Sequence, residues 1–215
     1  MARFLTLPDA IAEFVHDGDA VALEGFTHLI PFAAGHEIIR QGRKNLHLIR
    51  MTPDLIYDQM IGMGCAGRLT FSWGGNPGVG SLHRLRDAVE NQWPKALALD
   101  EHTHAGMAAA YTAGAGRLPF GMLRGYIGTD LTHVNPRIKS VRCPFTDEDL
   151  SAIPALNPDI TILHAQKADE KGNVLIEGIT GAGREAALAA DKLIVTVEEI
   201  VADFPPMMNA VMLPH

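Results

Sequence analysis

The sequence predicts an α/β protein, an open, mostly parallel (mixed) sheet with helices on both faces. Three observations carry that prediction. Short apolar runs alternate along the chain with longer segments of helical periodicity, the pattern of crossover connections between parallel strands. Several of the runs stop abruptly in Gly or acidic residues, as in Leu23-Glu24-Gly25 and Leu99-Asp100-Glu101. One stretch, Ile160 to Glu177, reads instead as a local hairpin about Asp169–Asn173, which makes the sheet mixed.

The elements follow in order. Thr6-Leu7-Pro8 opens a first helix running to about Val15, with Pro near the first turn, where its missing N–H costs nothing. Ala20–Leu23 is the first strand. A loop leads to a helix from Phe32 to about Arg43, with Ile38 and Ile39 on its apolar side. Leu46–Met51 is a strand, and Pro53-Asp54 begins a helix closed near Gly62 or Gly64. Leu69–Trp73 is a strand that enters the glycine-rich loop Gly74–Gly80. Ser81 is placed to cap a helix over Leu82–Gln92. Ala96–Leu99 is a strand ending in Asp100-Glu101, followed by an Ala-rich helix from about Thr103 to Ala113. Residues 114–158 are rich in Gly and Pro and read as a long lid or crossover region with one short strand near Val141. Alternation then resumes with strands at Ile160–Leu163 and Val174–Glu177, a helix at Arg184–Ala190 and a strand at Leu193–Val197.

Composition narrows the function. At 215 residues the chain is long enough for one large domain with a core of its own, read as residues 1–215. A net charge of -7 argues against a nucleic-acid surface. No run approaches the roughly 20 apolar residues of a membrane span, and the N-terminus carries no signal-peptide pattern. Cys65 and Cys143 stand far apart in no metal spacing, as free thiols of a reducing cytoplasm.

Four segments could carry chemistry. Glu24-Gly25-Phe26-Thr27-His28-Leu29-Ile30 joins a strand to a helix, where Gly lets the backbone approach a ligand; the plainer reading is a turn with a capping Glu. Gly74, Gly75, Asn76, Gly78 and Gly80 make a pre-shaped loop. It is neither a P-loop, since no Lys-Ser or Lys-Thr pair follows, nor a dinucleotide fingerprint, since His83 stands where the last Gly belongs. Asp100-Glu101-His102-Thr103-His104 puts two carboxylates and a His-x-His pair at a strand end. No third ligand stands at a defined spacing, so no metal is expected, and the acids also suit a helix N-terminus. Gly181-Ala182-Gly183-Arg184-Glu185-Ala186 is a partial dinucleotide fingerprint late in the chain, read as packing. A serine-hydrolase elbow is missing.

Four stretches together resemble family I coenzyme A transferases. Asp17-Gly18, Val21-Ala22-Leu23, Gly25-Phe26 and Pro31 fit the N-terminal signature, with Glu24 where the family usually has Gly, Ile30 replacing a further Gly, and the Pro one place early. Gly74–Gly80, Glu101–Phe120 with its Leu118-Pro119-Phe120, and Ile160–Glu199 are similar to the family's α subunits, nearest those of the glutaconate and 3-oxoacid CoA transferases. The resemblance implies a NagB/RpiA-like fold and transfer of CoA between a thioester and a carboxylic acid through a glutamyl-CoA intermediate. It implies that the nucleophilic Glu belongs to a partner β subunit in a heterodimer or α2β2-type assembly, because the Ser-Glu-Asn-Gly-like motif is missing here. No tightly bound cofactor is expected; coenzyme A enters as part of the substrate, bound by Glu24–Ile30 and by Gly74, Gly75, Asn76, Gly78 and Gly80. Further strand and helix are expected after Leu213-Pro214-His215. Two other readings stand beside this one: a thioester or ring-opening hydrolase using Glu24 or Glu101, and a non-enzymatic nucleotide- or ligand-binding domain.

Overall fold

The computed structural model describes residues 2–204 and 211–213. Helix α1 (Leu7–Phe14) starts at Thr6, whose hydroxyl accepts the Asp9 N–H. Then come β1 (Ala20–Leu23), a 3-10 turn (Thr27–Leu29), α2 (Phe32–Arg40), β2 (Leu46–Ile49), α3 (Leu55–Gly62), β3 (Ala66–Phe71), α4 (His83–Glu90), β4 (Ala98–Glu101) and α5 (His104–Ala115). The strands β1, β2, β3 and β4 pair in sequence order, all parallel. Strand β8 (Ile160–Asp169) lies on the other side of β1, also parallel. It carries β10 (Lys192–Val201) along its whole length and pairs its second half antiparallel with β9 (Val174–Ile176), which in turn pairs β11 (Val211–Leu213). The expected mixed, mostly parallel sheet is therefore found, with the hairpin about Asp169–Asn173 in place.

Alternation along the strands distributes the core. Val21, Leu23, Leu46 and Leu48 face a cluster with Ile11, Ile38, Ile56 and Met60 from α1, α2 and α3. Ala22 and Ile49 face the other way, against Met107, Ala110 and Tyr111 of α5 and Ala186 and Ala189 of α7 (Gly183–Ala189). Small residues at Ala22, Ala110, Ala186 and Ala189 bring α5 and α7 close to the sheet.

Two expectations are corrected here. Residues 114–158 are no loose lid: β5 (Phe120–Leu123), β6 (Lys139–Arg142) and β7 (Asp149–Pro154) form a separate antiparallel sheet in the order β5-β7-β6, with a short helix α6 (Leu131–Val134). The Gly and Pro punctuation masked three strands of four to six residues each. Nor does Ser81 cap α4, whose N-cap is Leu82 without a side-chain bond. Asp58, on α3, accepts the Arg84 and Leu85 N–H groups at 2.8 and 2.9 Å, a tertiary cap with no local sequence signal.

Candidate functional site

Where β1 ends, Glu24 is turned into the protein and is only 3% exposed. The turn that does this needs Gly25: its φ is +149°, and a Cβ there would run into the Leu29 carbonyl. One oxygen of Glu24, Oε1, accepts the Tyr111 hydroxyl at 2.9 Å and the Met51 N–H at 3.1 Å. Behind it Arg50, 2% exposed, donates to three carbonyls: Leu23 at 2.7 Å, Gly25 at 2.9 Å and Thr52 at 2.8 Å. Tyr57, on α3, donates to the Ile49 carbonyl at 2.8 Å and accepts the Leu23 N–H at 2.9 Å. Both strand ends are thus pinned to fixed donors.

Burial pushes the Glu24 carboxyl above its ordinary range. The Arg50 charge, the Met51 N–H, the Tyr111 hydroxyl and the Gly25 N–H pull the other way without overcoming it. Burial, and then the Glu24 charge, hold the Tyr111 phenol well above its own range.

Glu24 lines a cavity of about 260 Å³ together with Gly25, Phe26, Met51, Thr52, His104, Ala108, Thr112, Gly181, Ala182 and Glu185. This is the carboxyl end of the parallel strands, the side where open α/β sheets take their ligands. His104, the first residue of α5, is oriented by Ser72. The Ser72 hydroxyl donates to the Met51 carbonyl at 2.6 Å, so its oxygen is left to accept from His104 Nδ1 at 3.1 Å.

Of the predicted residues, Glu24, Gly25 and Phe26 line this cavity. Leu29 borders a small gap beside it with Leu163 and His164; Thr27, His28 and Leu29 form the 3-10 turn, and Ile30 is half-buried beyond it. Gly74, Gly75, Asn76, Gly78 and Gly80 do not line the cavity. Asn76 and Gly80 bridge back to back, and the Asn76 side chain accepts the Gly78 and Val79 N–H groups. A Cβ on Gly74 would meet Leu85 and one on Gly75 the Trp73 ring, so packing explains glycine at both. Glu101 is exposed and stands outside the cavity lining.

Its neighbour Asp100, 4% exposed, sits in a polar knot with Arg68 and Arg137 at 3.1 Å each, Asn135 at 3.0 Å and His102 at 3.4 Å. Burial pushes its carboxyl up, but the His102 hydrogen bond and the Arg137 and Arg68 charges outweigh it and hold it down at about 2. His102 and His104, adjacent in motif, are therefore separated in role. Among the described residues no group of three or more His, Cys, Asp or Glu could hold a metal ion. Sequence reasoning missed Arg50, Met51, Thr52 and Tyr111, which lie on other elements and converge only through the sheet.

A covered, mostly parallel α/β sheet with a desolvated carboxyl and a cavity at its strand ends has the architecture of the open α/β proteins, a class that takes its ligands at this edge. The chain belongs to the coenzyme A transferase family, whose family model matches residues 4–215. It is 66% identical to the A subunit of the 3-oxoadipate CoA-transferase of Pseudomonas knackmussii, a match covering 100% of this chain and 76% of that one. It is 32% identical to the A subunit of the glutaconate CoA-transferase of Acidaminococcus fermentans, covering 94% of this chain and 68% of that one. A crystal structure of a variant of the AibA/AibB decarboxylase superposes with a TM-score of 0.86 at 32% identity, over 95% of this chain and 77% of that one. No described helix is long and apolar enough to cross a membrane.

Proposed function

We propose that this chain is the A subunit of a heteromeric CoA transferase that moves CoA between an acyl-CoA thioester and a 3-oxo dicarboxylic acid, in the cytoplasm. The acid class follows the name of the 66%-identical relative. The observation that carries the division of labour is the state of Glu24. A carboxyl raised in pKa by burial, with one oxygen already accepting two hydrogen bonds, is a poor nucleophile. In its neutral form it is a good donor to a developing oxyanion.

The chemistry then runs in balanced steps. The B subunit's glutamate carboxylate attacks the thioester carbonyl, and CoA thiolate leaves. The thiolate attacks the resulting anhydride at the glutamyl carbon, giving glutamyl-CoA and releasing the first acid. The acceptor carboxylate attacks the glutamyl-CoA carbonyl, expelling thiolate and forming a second anhydride, and the thiolate attacks its acyl carbonyl, giving the new acyl-CoA and freeing the glutamate carboxylate. Splitting one transfer into these covalent steps is nucleophilic catalysis. Each carbonyl attack builds negative charge on oxygen, and a protonated Glu24 on the cavity wall would be a donor for it. CoA passes through as part of the substrate, with no tightly held cofactor, in a heterodimer or α2β2-type assembly.

Thioester hydrolysis is the second reading. The same raised pKa would suit Glu24 to take a proton from water. One experiment separates the readings: CoA exchange between acyl-CoA and a panel of acids, measured for this chain alone and with its B subunit. Exchange that needs both chains and an acid acceptor supports the transferase. Full activity from the isolated chain sinks it, and thioester loss without an acceptor favours the hydrolase.

A further inference from the structure

Two phenols are fully buried at the end of β1, and they are used differently. Tyr57 is spent on backbone, donating to the Ile49 carbonyl and accepting the Leu23 N–H. Tyr111, from the middle of α5 and 0% exposed, makes one hydrogen bond among the described residues, to Glu24 Oε1 at 2.9 Å. Its partner is a titratable group of the cavity wall. The Met51 N–H falls on the same oxygen, at 3.1 Å. With two donors already on Oε1, a proton held by this carboxyl belongs on Oε2. Hydrogen bonds and acid function are thereby divided between the two oxygens.

A hydrogen bond to a charged acceptor is about twice as strong as one to a neutral acceptor. If Oε2 shares its proton with a developing oxyanion, negative charge grows on Glu24 and the bonds on Oε1 tighten with it. Such an interaction acts mainly in the transition state, where it speeds the reaction. Burial, and then the Glu24 charge, hold the Tyr111 phenol well above its ordinary range, so it remains a donor throughout. The other groups about Glu24 do not duplicate it. Arg50, at the end of β2, and Tyr57, on α3, are engaged on carbonyls. Glu185 from α7 and His104 from the start of α5 line the same cavity, and His164 from β8 lines the small gap beside it, but none of the three is hydrogen-bonded to Glu24.

We propose that Tyr111 is a positioning residue for the reaction: its hydroxyl on Oε1 fixes the Glu24 carboxyl and steadies the charge that grows on it, leaving Oε2 as the oxygen that exchanges a proton with the substrate. The inference rests on the reading that Glu24 serves the reaction, but not on whether it does so as a donor in transfer or as a base in hydrolysis. In transfer the Oε2 proton moves toward the oxyanion and returns as the carbonyl re-forms. In hydrolysis Oε2 takes the proton from water. Tyr111 keeps its own proton in both.

The test is Tyr111→Phe in the assembled two-subunit complex, a change that removes one oxygen and keeps the ring. The Glu24 carboxyl is titrated by infrared spectroscopy of protein carrying isotope-labelled glutamate, its band assigned by its absence in Glu24→Gln. CoA exchange is measured across the same pH range with the acyl-CoA and acid that the panel selects. Losing a donor on Oε1 disfavours the carboxylate, so the Glu24 titration should move to higher pH, and the limb of the kcat profile that it sets should move with it. On the plateau kcat should fall roughly 10-fold or more, the scale of a hydrogen bond to a charged group, with KM changed by less than about twofold. In a Glu24→Gln background no charge develops at this side chain, so the same loss of hydroxyl should cost several-fold less. An unmoved titration, or an equal fall in kcat in both backgrounds, would overturn the inference and leave the hydroxyl a packing contact. The limb that moves tests the functional reading separately. A shifted alkaline limb marks Glu24 as a donor and agrees with transfer. A shifted acid limb marks it as a base, which supports the role of Tyr111 and counts against the transferase reading alone.

Discussion

Glu24 and Asp100 stand at the same level of the fold, each at the carboxyl end of a parallel strand and each almost fully buried, at 3% and 4% exposure. They are driven in opposite directions. Asp100 is matched by two guanidinium groups, an amide and an imidazole, and ionises more readily than in water. Glu24 meets one phenol and backbone N–H groups, with Arg50 turned toward carbonyls, and ionises less readily. Burial does not by itself set which way a carboxyl is driven; the stoichiometry of its partners does. The cavity lies over the poorly matched one.

The largest expected effect tests that contrast at Glu24. Glu24→Met, which removes the donor, should lower exchange by about 100-fold or more in the assembled complex, whereas Glu24→Gln, which keeps an N–H donor and the shape, should lower it far less and leave the melting temperature little changed. A fall in stability with unchanged turnover would break the comparison.

Next comes Asp100. Asp100→Ala removes the acceptor that Arg68, Arg137 and Asn135 share. It should cost about 2 to 3 kcal/mol, toward the lower end of values for broken buried pairs because the two arginines are half-exposed and can rehydrate. Urea melts of the complex measure this. The pH dependence follows with a definite sign. The folded pKa is lowered from 3.8 to about 2, so the contribution is complete above about pH 4 and is lost as pH falls through about 2. On that shift it amounts to about 2 kcal/mol, absent in the Asp100→Ala protein over the same range.

Gly106→Ala should have a middling effect. A Cβ there would collide with the Tyr126 hydroxyl, which accepts the Thr103 N–H at 3.0 Å and ties the turn after β5 to the start of α5. A loss of about 1 to 3 kcal/mol is expected, with a smaller loss in exchange. Glu101→Gln should do least: stability within about 0.5 kcal/mol, as for an exposed site, and little change in turnover. A loss rivalling that of Glu24→Met would mean that the partner subunit closes over the end of β4 and makes a reactive carboxyl there.

The sequence disclosed what is local. Ala20–Leu23 ran into Glu24-Gly25 because strand, turn and helix signals are contiguous, and the structure places β1 on those residues. The glutamate was legible as unusual because it replaces a glycine of the family signature. What escaped was whatever depends on contacts far apart in the chain. Tyr111 reaches Glu24 from 87 residues away, and Arg50 reaches Leu23 from 27. The Gly-rich Gly74–Gly80 loop drew notice for its composition, yet Leu85 and Trp73 account for two of its glycines. Residues 114–158 read as irregular because short antiparallel strands leave no long period behind.

Arg50 has a mechanical consequence. Because one planar cation is shared by the carbonyls of Leu23, Gly25 and Thr52, the chain on either side of it cannot shift independently. Those two segments carry Glu24, Gly25 and Phe26 on one side and Met51 and Thr52 on the other, five residues of the cavity wall. The wall therefore behaves as a rivetted plate rather than as two loops. Its shape is fixed during folding, so the wall has little ordering entropy left to lose when the cavity is filled.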